Sequence, residues 1–113
     1  MKKIEAVIQP EKLNDVREAL ADADYPGITV TEITGHGKQK AKVQQWRGDS
    51  YRVAFLSKVK IEIVCADKEA EGIIQIISAA AFTGGFGDGK IFLSDIREAI
   101  RIRTGERGSK ALS

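Results

Sequence analysis

The chain is short of most of what announces a chemistry. Its 113 residues include one cysteine, one histidine, one tryptophan and two prolines. A lone Cys65 excludes an internal disulfide framework, and nothing looks like a metal cluster. Cys65 reads instead as a small buried hydrophobe in a strand. A lone His36 leaves no Ser/His/Asp or Cys/His constellation, and no residue stands out as a general base, so no enzyme is expected. Aromatics make up 6% of the chain, and the first strand has none. An RNA-recognition module needs exposed aromatics on two central strands, so that reading is set aside. Lys and Arg number 18 against 16 Asp and Glu, a net charge of +2. So small an excess argues against an electrostatic nucleic-acid or membrane binder. No apolar stretch approaches membrane-spanning length. Met1-Lys2-Lys3 runs straight into a strand rather than a signal peptide, and the expectation is a cytoplasmic protein.

What the chain does have is glycine in one place. Residues 83–90 read Thr83-Gly84-Gly85-Phe86-Gly87-Asp88-Gly89-Lys90. Glycine lets backbone N–H groups turn toward a ligand with no Cβ in the way. Successive N–H groups so arranged form a concave anion site, to which a lysine adds a point charge. Gly84, Gly89 and Lys90 have P-loop spacing, but Ile91 stands where Ser or Thr must hold magnesium. A strand-like Ile91-Phe92-Leu93 follows in place of a helix. The loop points to phosphate, with a plain turn between helix and strand as the alternative.

The length fits one domain, residues 1–113, marginal enough as a monomer for self-association. Ile4, Ala6 and Ile8 alternate with polar neighbours as a half-buried strand. Pro10 suits a first helical turn. Leu13, Val16, Ala19, Leu20 and Ala23 form a helical stripe, and Tyr25-Pro26-Gly27 stops it. Residues 28–33 form a second strand, with Thr29 and Thr31 opposite Ile28 and Val30. Residues 35–54 show no clear period, and structureless loops of that length are usually functional. Val59, Ile61, Ile63 and Cys65 mark a third strand. Asp67 can cap a helix striped by Ala70, Ile73, Ile74, Ile77 and Ala80 or Ala81. A strand from Lys90 follows, then a short extended run in which Ile100 and Ile102 alternate with Arg101 and Arg103. Residues 104–113 read as a loose polar tail.

This order predicts an α+β fold, a ferredoxin-like double βαβ with an antiparallel sheet, a long loop and an extra C-terminal strand. Right-handed crossovers put both helices on one face. The other face then carries Glu5, Lys60, Glu62, Arg101 and Arg103. It is either solvated or packed against copies of itself.

Several blocks carry a family likeness. They are Thr29-Val30-Thr31-Glu32, Gly35-His36-Gly37-Lys38-Gln39-Lys40, Trp46-Arg47-Gly48, Tyr51, Lys58-Val59-Lys60-Ile61-Glu62-Ile63-Val64, the 83–92 loop and strand, and Ile100-Arg101-Ile102-Arg103-Thr104-Gly105-Glu106. In these, and over nearly its whole length, the chain resembles the PII family of nitrogen-regulatory signalling proteins. The resemblance implies a homotrimer with ATP or ADP in the clefts between subunits. It implies 2-oxoglutarate bound beside Mg2+-ATP, and a T-loop, about residues 36–54, that touches target proteins. Those targets would be an ammonium transporter, a nucleotidylyltransferase or an enzyme of nitrogen metabolism. A membrane would be met only through a transporter.

The resemblance assigns nucleotide binding to Thr29, Gly35, Gly37, Lys38, Gln39, Glu62, Val64, Gly87, Asp88, Gly89, Lys90, Arg101 and Arg103. The chemistry is consistent. Arginine offers a planar fork and lysine a compact charge for phosphate, and Arg101 and Arg103 share one side if they lie on a strand. A solvated strand face is the alternative for that pair. Asp88 beside phosphate is the odd member, serving either the loop or the ribose side. Gln39 carries a neutral oxygen suited to magnesium. The 2-oxoglutarate site would comprise Gln39, Lys58 and Gly87, with Lys58 meeting the far carboxylate. Tyr51 matches the modified tyrosine, and Arg47 the side chain expected to enter a transporter vestibule. Ser50 is a weaker candidate for modification.

Some positions depart from the family pattern. Lys38 replaces arginine and loses bidentate contact. Gln9 replaces a basic residue and Ala41 a glycine. Asp49 and Ser50 exchange small and acidic characters, and Ala54 and Ser57 replace an acid and a proline. An alternative is therefore a nucleotide-binding trimer that has lost 2-oxoglutarate sensing or covalent modification.

Overall fold

The computed structural model describes the backbone of residues 1–40 and 51–113, and the side chains outside residues 35–56. The order is β1 (Lys2–Ile8), a 3-10 turn (Pro10–Lys12), α1 (Leu13–Asp22), β2 (Thr29–Lys40), β3 (Tyr51–Cys65), α2 (Asp67–Ala81), β4 (Lys90–Asp95) and a 3-10 turn (Gly108–Leu112). Four strands form one sheet in the order β2-β3-β1-β4, and every pairing is antiparallel. This is the ferredoxin-like double βαβ expected. Each helix crosses over one strand and packs on the same face of the sheet.

Period-two alternation in β1 and β3 decides which face is buried. Ile4, Ala6, Ile8, Val59, Ile61, Ile63 and Cys65 point toward the helices. Val16 and Leu20 of α1, and Ala70, Ile73, Ile77 and Ala81 of α2, complete the core. Fully burying each isoleucine contributes about 1.5–3 kcal/mol. The two strands whose sequences echo each other lie side by side, with Ile4 opposite Ile63 and Ala6 opposite Ile61.

On the open face that register sets Glu5 directly opposite Glu62. Like charges so placed repel. Lys3 answers both, with its Nζ 2.9 Å from Glu5 and 3.1 Å from Glu62. Lys60 adds a third pair to Glu62 at 3.2 Å. Hydrogen bonds from Lys3 and then Lys60 hold the Glu62 carboxyl below the usual carboxylate range. The arginines expected on this face are elsewhere, in the C-terminal hairpin described below.

Several boundaries differ from expectation. β2 and β3 run far beyond their hydrophobic stretches as a two-stranded ribbon, paired from Thr29 with Glu62 to Lys40 with Tyr51. The stretch read as structureless from residue 35 to 54 is thus strand at both ends, and its centre, residues 41–50, lies outside the described residues. α1 ends through Asp24, not through Tyr25-Pro26-Gly27. Asp24 has φ 68°. Its N–H donates to Ala21 O at 3.0 Å and that of Tyr25 to Leu20 O at 2.8 Å, the Schellman closure. Asp67 does not cap α2. The capping position is Ala66, without a side-chain cap, and the Asp67 carboxylate meets the Met1 amine at 2.9 Å.

The extra C-terminal strand takes the form of an isolated bridge between Ile100 and Arg107. Arg101 N–H donates to Glu106 O at 2.9 Å, and residues 102–104 turn between them. The tail expected to be loose is ordered by this hairpin and by the 3-10 turn after it.

Candidate functional site

The glycine loop between α2 and β4 is built around one carboxylate. Asp88 Oδ2 accepts from the N–H of Thr83 at 2.8 Å and of Gly84 at 3.0 Å. Its Oδ1 accepts from the Thr83 hydroxyl. That hydroxyl in turn accepts from the Gly85 N–H at 3.1 Å. These bonds, the Thr83 hydroxyl first, hold the Asp88 carboxyl below its ordinary range. The first half of the loop therefore already encloses an anion of its own. Asp88, left open between loop and ribose, makes its bonds within the loop.

The second half is different. Gly87 and Gly89 adopt φ of 92° and 103°, where a side chain is strained. Among the described residues, no backbone carbonyl accepts from the N–H of Gly87, Asp88 or Gly89. Gly89 is pressed against β1: a Cβ there would lie 1.7 Å from the Val7 carbonyl oxygen. Lys90 opens β4 opposite Val7, exposed at the edge of the sheet.

Lys58 links this loop to the ribbon. It stands where β3 leaves the sheet, and its Nζ donates to the Gly87 carbonyl at 2.7 Å. Gln9 reaches the same point: its Nε2 and Lys58 Nζ would lie 3.5 and 3.4 Å from a Cβ at Gly87. Lys58 also lines a cleft of about 400 Å³ with Pro10, Glu32, Ile33, Thr34 and Ser57. The end of the long loop, the glycine loop and the start of the first crossover thus converge.

Other candidates are more dispersed. Thr29 lies opposite Glu62, so those two are neighbours on the open face, with Val64 one step along the same face and 36% exposed. Gly35, Gly37, Lys38 and Gln39 fall on the ribbon strand β2, opposite Leu56, Ala54, Val53 and Arg52. Tyr51 begins β3. Arg47, Ala41, Asp49 and Ser50 lie outside the described residues. Arg101 and Arg103 do not share a strand face. Arg101 is half-buried and bonded to Glu106 at 2.8 Å, to Lys110 O at 3.0 Å and to Ser113 O. Arg103 is exposed in the turn. Among the described residues, neither bonds to the glycine loop of its own chain.

Sequence reasoning had given Thr83 no role, and had marked Gln9 only as a departure from the family's basic residue. The hydroxyl five positions before Asp88, across a glycine-rich turn, was the available signal for the first. For the second, the family pattern marked the position but not its contact with Gly87.

The chain that carries this glycine loop and ribbon on a double βαβ has known relatives. A family model described as "Nitrogen regulatory protein P-II" matches residues 1–106. The chain belongs to this family. It is 55% identical over 112 residues to the nitrogen regulatory protein P-II of Rhizobium meliloti (strain 1021), covering 99% of this chain and 100% of that one. It is 57% identical to the namesake from Bradyrhizobium diazoefficiens, with the same coverage. The namesake from Nostoc punctiforme is 48% identical over the same share. As a P-II protein the chain is a regulatory signal transducer in nitrogen control, acting on target proteins and not as an enzyme. No helix among the described residues is long and apolar enough to cross a membrane.

Proposed function

We propose that this P-II protein reports nitrogen, carbon and energy status by binding ATP or ADP and, with Mg2+-ATP, 2-oxoglutarate. The reading is that phosphates sit against the N–H groups of Gly87, Asp88 and Gly89 beside Lys90. Arg103 and Arg101 would come from a neighbouring subunit, since among the described residues neither bonds to the glycine loop of its own chain. That requires assembly, and a homotrimer is the expected form. Thr29, Glu62 and Val64 would face the adenine, and Gly35, Gly37 and Lys38 the phosphates. Gln39 would bring its neutral oxygen to Mg2+, a suitable hard ligand.

One observation carries this reading: Lys58, at the base of the ribbon, is bonded to the carbonyl of Gly87 in the glycine loop. A ligand taken up at the loop therefore changes what Lys58 holds, and through it the root of the T-loop. A carboxylate offers Lys58 an oppositely charged acceptor in place of that neutral carbonyl. The far carboxylate of 2-oxoglutarate would be that partner. A ligand shifts an equilibrium only by its differential affinity for two states, and the coupling is reciprocal. A target that requires a different loop conformation is released, and in turn weakens the effector. The target would be an ammonium transporter, a nucleotidylyltransferase or another enzyme of nitrogen metabolism. Tyr51 is the proposed site of covalent modification and Arg47 the proposed transporter contact.

Calorimetric titration tests this directly. ATP should bind first, and 2-oxoglutarate only in the presence of ATP and magnesium. Lys58→Met should leave ATP binding nearly intact and strongly weaken 2-oxoglutarate. Light scattering at micromolar concentration should give a trimer. Effector binding without nucleotide, or a monomer, refutes the arrangement.

A further inference from the structure

We infer that Asp88 is a positioning residue for nucleotide, acting on the shape of the glycine loop through its side chain and never touching the ligand with it. The inference rests on the phosphate reading given above. A carboxylate beside a triphosphate is at first sight misplaced, because like charges repel. Its contacts remove the difficulty. Both oxygens are spent on Thr83 and Gly84, and the Gly85 N–H is satisfied one step further on, by the Thr83 hydroxyl. The loop is thereby divided. Residues 83–85 turn their donors inward to Asp88. Those of Gly87, Asp88 and Gly89 have no backbone acceptor among the described residues.

Without the carboxylate, the donors of residues 83–85 would compete with those of 87–89 for any anion, and the loop would have no fixed shape to offer. Gly84, with φ of 86°, permits the tight closure. The fully exposed Phe86 contributes no packing to hold it. Polar contacts inside the loop therefore carry its conformation. The lowered pKa of Asp88, to which nearby Lys12 also contributes, keeps this acceptor ionised. Internal hydrogen bonds to a charged acceptor are the strong kind.

The test compares Asp88→Ala, Asp88→Asn, Thr83→Val and the Asp88→Ala/Thr83→Val double variant with the unaltered protein. Circular dichroism at each step confirms the fold. Amide exchange by NMR is read without ligand. Thr83 and Gly84 amides should be protected in the unaltered protein and lose protection in Asp88→Ala. Titrations then follow with ATP and with ADP. Asp88→Ala should weaken both by roughly tenfold, the scale of losing a hydrogen bond to a charged group, with their ratio unchanged. Asp88→Asn keeps one carbonyl oxygen and should be intermediate. The cost of Thr83→Val should vanish in the Asp88→Ala background, because both changes break one network. Tighter ATP binding in Asp88→Ala, with ADP little changed, would mean that the carboxylate faces the phosphates, and it overturns the inference. Additive losses overturn it too, since they indicate two independent contacts. If the unaltered protein binds neither nucleotide, the phosphate reading itself falls, while the exchange data still decide whether Asp88 holds the loop.

Discussion

Replacing Gly89 by alanine puts the packing of the glycine loop to a numerical test. An ideal Cβ at residue 89 lies 1.7 Å from the Val7 carbonyl oxygen and 2.8 Å from its carbon. Neither atom belongs to a side chain that can swing away, for Val7 is in β1, at the centre of the sheet, and opposite Lys90. The φ of 103° adds strain of about 1–3 kcal/mol for any residue with a Cβ. Overpacking typically costs a further 1–3 kcal/mol, and here the loop can relieve part of it by lifting off the strand end. A net loss of about 2–4 kcal/mol follows from these two contributions. At roughly 4 °C per kcal/mol, the melting temperature should fall by about 8–16 °C. Gly72→Ala is the control. It stands inside α2, and a Cβ there meets nothing within 4 Å. The same substitution should there stabilise by about 0.5–1 kcal/mol through helix propensity. Both are measured by calorimetric melting at one fixed protein concentration, so that any self-association affects the two variants alike. A Gly89→Ala midpoint at or above that of Gly72→Ala would show that the loop does not press on β1 as described.

Three further outcomes are expected. Ile61 is fully buried at the centre of the sheet, and Ile61→Ala should cost about 2–5 kcal/mol in denaturant unfolding; a loss below about 1 kcal/mol would contradict a packed core at that strand. Asp24→Gly should stabilise by about 1 kcal/mol, because Asp24 holds the left-handed position that closes α1 and glycine takes it freely; destabilisation would mean that the Asp24 side chain does more than tolerate the turn. Asp88, Glu62 and Asp67 all titrate below their ordinary range. Their stabilising contribution is therefore complete above the unfolded-state carboxylate pKa and lost as pH falls through their folded values. Stability followed from pH 7 downward should stay level until the carboxylate range and then drop; a decline already complete above that range would assign it to other groups.

The parts legible in sequence are those where one face is buried. β1, α2 and the inner half of β3 announce themselves because water exclusion imposes a period on Ile4, Ile61, Ile73 and their neighbours. The ribbon gave no such sign. Beyond Ile33 and Lys58 the strands are held by backbone pairing, which leaves no signature in side-chain identity. The ends of α1 and α2 were displaced for local reasons. Asp24 took a turn usually given to glycine, and Asp67 was drawn to the chain's own amine. The C-terminal tail looked loose because its order comes from the hairpin's backbone bonds and from the Arg101 guanidinium, which reaches Glu106 and the carbonyls of Lys110 and Ser113, a polar network without periodicity. At the site, the glycine loop and Lys58 were visible as residues. Their contact, across 29 positions of sequence, was not. Nor was the division of labour between the two halves of the loop, since spacing says which donors exist and not which are already taken.

The paired ribbon has a mechanical consequence. From Ile33 opposite Lys58 to Lys40 opposite Tyr51 the two strands stay in register. At about 3.3 Å per residue this is an arm of roughly 23 Å. Two hydrogen-bonded strands resist bending far better than a single chain, so an angular change at the root is carried outward and magnified. A tilt of about 10° at the level of Lys58 displaces the far end by about 4 Å over that length. Lys58, bonded to the Gly87 carbonyl, stands at the fulcrum of this lever. On the function proposed above, a small rearrangement where the glycine loop meets β3 would thereby reach the far end of the ribbon as a larger displacement, and the arm itself would transmit the ligand state.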